Sequence, residues 1–124
     1  MLTVATVHDK NRIKEYFAEN GLTPSEDSGC MEARCGGETL GFCLYRLSKD
    51  EMTIYKVSPE IDFLLADGIL RSTLHLAHRR NIVNVYCTDA SRALCEKSGF
   101  IKNAEKGLLD ISLLSRDCCG GCDL

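Results

Sequence analysis

Cysteine is the residue type through which this chain could do the most chemistry: it has eight in 124 residues. Cys118, Cys119 and Cys122 crowd the C-terminus, and Cys119 and Cys122 make a C-x-x-C step. That spacing lets two sulfurs face one point, as a Zn²⁺ ion or a redox disulfide requires. A closed zinc site takes four ligands. Cys30 or Cys35, at a looser C-x-x-x-x-C spacing, would have to supply the fourth. The tail reads first as free thiols, with metal or redox use as its alternative, and no metal ligand is assigned. Cys95 stands beside Leu94 on a short helix. A cysteine so placed reads as a packed small hydrophobe. Glu51 opens a strand, Glu60 follows it, and His75 and His78 share a helix. Each reads as a surface group before it reads as a base.

The elements that must position these residues follow from periodicity. Residues 2–7 are rich in β-branched types and read as strand 1. Asp9 caps a helix carrying Ile13, Tyr16 and Phe17 on one face, and Gly21 stops it. Three strands follow, at 28–34, 39–47 and 51–58, joined by tight turns at Gly36-Gly37 and at 48–50. Pro59 ends the third. A second helix occupies much of 61–80, with Ala66, Ile69, Leu70, Thr73, Leu74 and Ala77 as its apolar stripe. Asp67, Arg71, His75 and Arg79 form the opposite stripe, Asp67 and Arg71 spaced for an i,i+4 pair. Residues 82–87 are almost continuously apolar, as a strand covered on both faces should be. Thr88 or Asp89 caps a third helix that ends at Gly99, and 100–104 and 108–114 read as closing strands.

Composition narrows the function classes. The length fits one domain. A formal charge of −3 gives no electrostatic case for nucleic acid or an anionic membrane. No apolar run approaches the roughly 20 residues that span a bilayer. The N-terminal residues read as a strand, so the expected location is cytoplasmic and the thiols reduced.

The run Ala93-Leu94-Cys95-Glu96-Lys97-Ser98-Gly99-Phe100 resembles the A-L-Y-E-K-x-G-F signature of the GNAT superfamily of acyl-CoA-dependent N-acetyltransferases. The order β-α-β-β-β-α-β-α-β-β is similar to that fold through residues 1–115, with 116–124 left as a cysteine-rich tail. The resemblance implies an α/β fold, an α+β mixed sheet whose strands 4 and 5 are parallel and splayed, with acetyl-CoA in the gap. Tyr55, Lys56, Val57 and Ser58 would offer backbone to the pantetheine, and Ala66, Asp67 and Gly68 would lie against the pyrophosphate. The family's Q/R-x-x-G-x-G/A pattern falls on Ile61, Leu64 and Ala66, and only Ala66 keeps it. Weak acetyl-CoA binding is expected. Cys95 stands where the family usually has the tyrosine that protonates the leaving thiolate. Glu51 is the one carboxylate within strand 4, where the family often keeps a general base. The implied activity is acetyl transfer to a small-molecule or peptide amine, with no nucleic acid or membrane partner and a homodimer left open. The alternative is a GNAT-fold binding module without catalysis, linked to metal or thiol chemistry through the tail.

Overall fold

The computed structural model describes residues 2–112 and 114. The elements are β1 (Leu2–Thr6), α1 (Lys10–Glu19), β2 (Ser28–Cys35), β3 (Glu38–Leu47), β4 (Glu51–Ser58), α2 (Phe63–Arg79), β5 (Asn84–Cys87), α3 (Asp89–Lys97), β6 (Ile101–Asn103) and β7 (Leu108–Leu109). They build one seven-stranded sheet in the order β1-β2-β3-β4-β5-β7-β6. β4 and β5 are parallel; every other pair is antiparallel. The expected mixed sheet and element order are therefore present. Among the described residues no helix is long and apolar enough to cross a membrane.

Two cores sandwich the sheet. α1 buries Ile13 and Phe17 against Cys30 and Leu44. α2 and α3 share the larger cluster, in which Ile69, Leu70, Leu74, Leu94 and Cys95 meet Met52, Ile54, Val57 and Val85. The helices are also tied at their ends. Lys97 Nζ lies 4.4 Å from the Phe63 ring centroid, and the Arg71 guanidinium carbon 4.9 Å from that of Phe100. On the α1 side one carboxylate is buried. Glu32 of β2, only 4% exposed, accepts from Arg12 Nη2 and Tyr16 Oη, each at 2.5 Å. A buried charge persists only when it is paired and hydrogen-bonded, so this cluster fixes how α1 docks.

All three helices stop the same way. The amide two residues past the C-cap bonds the carbonyl five residues back: Leu22 to Phe17, Ile82 to Ala77, Phe100 to Cys95. The residue just past each cap has positive φ: Gly21 (71°), Asn81 (59°) and Gly99 (82°). This is the Schellman arrangement, which satisfies the orphan carbonyls and brings the apolar residue beyond the turn back onto the helix.

Two boundaries differ from those expected, and that stop explains the first. Strand 5 begins at Asn84, not at residue 82. Asn81 and Ile82 belong to the turn that closes α2, and Val83 is 71% exposed. The last strand is cut to Leu108–Leu109 instead of running to 114. Asp110 Oδ1 accepts from the Ser112 amide at 3.0 Å, a local turn that competes with the ladder, and Leu114 N then bonds Ile111 O. The helix at 61–80 is trimmed to Phe63–Arg79, and Thr88 is the N-cap of α3. Cys118, Cys119 and Cys122 lie outside the described residues.

Candidate functional site

The site begins with one residue too many in β4. Opposite β3 the register steps from Lys56–Leu44 to Ile54–Tyr45, leaving Tyr55 as a bulge. Two consecutive carbonyls then point the same way, toward α3. Ile54 O accepts from the Thr88 amide at 3.0 Å and from Ser91 Oγ at 2.9 Å; Tyr55 O accepts from Thr88 Oγ1 at 2.8 Å. A regular strand alternates its carbonyls and could not do this. Parallel pairing with β5 stops at Ile54 opposite Cys87. Beyond the bulge, Lys56, Val57 and Ser58 pair with β3 alone. Among the described residues no strand covers their other backbone edge. This is the expected splay, and its cause is the bulge together with the capping residues of α3.

Side chains hold that edge in place. The Tyr55 ring meets Phe17 edge-on with centroids 5.9 Å apart, and Lys56 Nζ donates to Asn20 Oδ1 at 2.9 Å. Val57 is buried in the larger core. These expected residues therefore line up along one strand edge, backbone outward.

The helix start beside it is unusual. Asp62 caps α2, its Oδ1 accepting from the Leu65 amide at 3.2 Å while its carbonyl accepts from the Ala66 amide. Among the described residues, the amides of Phe63 and Leu64 have no partner. The amides open to an anion thus lie just before Ala66, Asp67 and Gly68, where the resemblance put the phosphate contact. The Ala66 side chain faces the core, Gly68 is exposed with open space around it, and Asp67 Oδ2 accepts from Arg71 Nε at 2.9 Å. Asp67 Oδ1 is buried without a hydrogen-bond partner. Ile61 and Leu64 are exposed at 96% and 82%, at the mouth of the cleft. Lys97 Nζ lies over the ring of Phe63, the first residue of the helix.

The two residues considered for acid and base duty lie elsewhere. Cys95 is fully buried, and its carbonyl takes the Phe100 amide in the turn that ends α3. Burial, then its neighbours Cys87 and Cys43, push its thiol well above the usual range, so it holds its proton. Glu51 is exposed at the opposite end of β4, facing Asn84. Seven residue steps separate it from Ser58, roughly 23 Å along a strand. Thr88 and Ser91, which shape the cleft, were the residues that sequence reading did not single out for it. The T-x-x-S spacing at 88–91 was their signal.

No protein-family model matches the sequence, and no curated protein matches it significantly. Solved structures do match. The ribosomal-protein-S18-alanine N-acetyltransferase of Escherichia coli superposes with a TM-score of 0.59 at 17% identity, covering 83% of this chain and 79% of its own. YhhK of E. coli, solved bound to coenzyme A, gives 0.58 at 15%, covering 83% and 93%. The chain has the GNAT fold. An aminoglycoside acetyltransferase from a soil metagenome gives 0.54 at 14%, covering 98% and 91%. Two of these GNAT-fold proteins are named for quite different acceptors, a protein alanine and an aminoglycoside. At such identities the likeness concerns the fold, and the fold leaves the acceptor open.

Proposed function

We propose that the chain is an acyl-CoA-dependent N-acetyltransferase acting on a small-molecule or peptide amine. The observation that carries this reading is the bulge at Tyr55, which opens the edge of 56–58 beside the start of α3. An open strand edge takes an extended partner through main-chain hydrogen bonds, and pantetheine, with its two amides, is such a partner. The pyrophosphate would meet the free amides of Phe63 and Leu64, with Lys97 as the neighbouring cation. The amine attacks the thioester carbonyl; a C–N bond forms, the C–S bond breaks, and the thiolate leaves to be protonated as the amine loses a proton. Burial makes Cys95 a packing residue in this scheme, and water or the acceptor supplies the proton. GNAT-fold neighbours named as acetyltransferases, one solved with coenzyme A, support the class of chemistry.

A second reading has its own observation. Asp62 places a carboxylate on the anion site, Glu60 stands beside it, and Ile61 and Leu64 are exposed. That surface suits a GNAT-fold binding module that has given up the cofactor. Calorimetric titration with acetyl-CoA separates the two. Saturable binding, with transfer to any of a panel of amines, supports the enzyme. No heat up to millimolar ligand overturns it in favour of the module.

A further inference from the structure

A cavity of about 560 Å³ opens at the end of the sheet away from the cleft, between the ends of β1 and β3, the segment before β2, the start of α1 and the end of α2. Val7, Ile13, Leu47 and Leu76 give the lining its apolar part. Tyr45 also lines it, pressed against Gly29: a Cβ on that glycine would stand 2.5 Å from the ring and 2.8 Å from the hydroxyl. Tyr45 is only 5% exposed, yet its hydroxyl makes no hydrogen bond among the described residues. The hydroxyl keeps some accessible surface and Tyr45 lines the cavity, so a guest there can pair with it. Burial pushes its pKa up to about 12, against the pull of nearby Arg80, so it remains a neutral donor.

The rim carries charge. Lys10 and Lys14 on α1 and Arg80 at the end of α2 line the opening, and none makes an ion pair among the described residues. On the facing segment Asp27 is answered by Arg46 at 3.7 Å, which leaves Glu26 as the unanswered carboxylate. Three open cations against one open anion favour an anionic guest, and the apolar wall favours one with a hydrocarbon body.

We propose that this cavity binds a small organic carboxylate, its anion held by Lys10, Lys14 and Arg80, its apolar body on the wall, and a distal polar group on the Tyr45 hydroxyl. The site is separate from the β4–β5 cleft and does not depend on the acetyl-transfer reading.

The probe is 4-hydroxyphenylacetate, which carries a carboxylate, a ring and a distal hydroxyl. Tyramine has the same ring and hydroxyl with a cation instead. In amide NMR titrations 4-hydroxyphenylacetate should saturate with a dissociation constant of about 1 mM, as its size allows, shifting residues 6–8, 28–29 and 45–47. Tyramine should bind at least about tenfold more weakly, and the exposed triple variant Lys10→Gln/Lys14→Gln/Arg80→Gln should lose a similar factor. Tyr45→Phe should weaken 4-hydroxyphenylacetate about three- to tenfold while leaving phenylacetate unchanged. Unsaturated shifts at high millimolar probe, equal binding of tyramine, an unaffected triple variant, or shifts centred on 55–58 would each overturn the proposal.

Discussion

Replacing Asp62 with asparagine alters the charge at the start of α2 and little else. Asparagine caps a helix about as well as aspartate, so the Leu65 amide keeps its acceptor. The favourable interaction of the carboxylate with the helix dipole is lost, at a cost of about 0.3–1 kcal/mol. The effect on an anion is larger. A pyrophosphate on the Phe63 and Leu64 amides would hold two charges about 6 Å from the Asp62 carboxylate, and at the dielectric of water each repulsion costs about 0.7 kcal/mol. Together they amount to about 1.4 kcal/mol, a factor of ten in dissociation constant. Calorimetry with coenzyme A should therefore find Asp62→Asn binding about tenfold more tightly than the parent at low salt. The gain should shrink near 0.5 M salt, where the screening length falls toward roughly 4 Å. Equal affinities at both salt concentrations would refute the reasoning, because the phosphates would then not sit at this helix start.

The remaining predictions concern packing and titration. Cys95→Ala should fold, lose about 1 kcal/mol to a small cavity and leave any acetyl transfer intact, while Cys95→Tyr should overpack the core and melt much earlier; a Cys95→Ala protein of normal stability but without activity would restore the thiol to catalysis. Glu32→Ala should lower the urea midpoint, because the half-buried Tyr16 hydroxyl loses its acceptor at a cost of about 1–3 kcal/mol while Arg12 and Arg34 stay solvated; an unchanged midpoint would show that the cluster does not dock α1. Burial raises Cys30 and Cys43 from 9.0 to about 12, so the fold favours their neutral forms. Their contribution is fully present below pH 9 and is lost as pH rises toward 12, so melting temperature should hold to about pH 9 and fall steeply above it. A flat profile to pH 11 would contradict this. Asn81→Val should cost about 1–2 kcal/mol, since a β-branched residue resists positive φ, whereas Asn81→Gly should match or exceed the parent in thermal melts.

The sheet and its parallel centre were legible because their signals are strong. The Ala66–Ala77 stripe, the turn residues Gly36-Gly37 and the apolar run into Cys87 each dictate one local structure. What was not legible was set by tertiary contacts. The bulge at Tyr55 marks 51–58 only as a single break in the alternation, between Ile54 and Val57; its cause appears when Thr88 and Ser91 draw two successive carbonyls to one side. Ile82 and Val83 looked like strand because an apolar residue that folds back onto a helix stop reads the same as the start of an apolar strand. The resemblance around 93–100 mixed two kinds of information. Gly99-Phe100 is the helix-ending turn, a requirement of the fold, with Phe100 bonded back to Cys95. The place of Cys95 itself carries the chemistry in the family, and here it is filled by a buried thiol. Glu51 is the only carboxylate in β4, and composition does not say which end of a strand a cleft occupies.

The bulge also bears on how easily the cleft could be gained or lost. Met52 and Ile54 face the larger core, Tyr55 and Lys56 both face α1, and Val57 faces the larger core again. Remove Tyr55 and the pattern that remains, Ile54, Lys56, Val57, Ser58, alternates without fault. Every other side chain would keep the face it already has. What would vanish is the doubled carbonyl that anchors Thr88. A single-codon deletion could thus turn an open groove into a plain strand without rewriting either core, and a single-codon insertion could have made it.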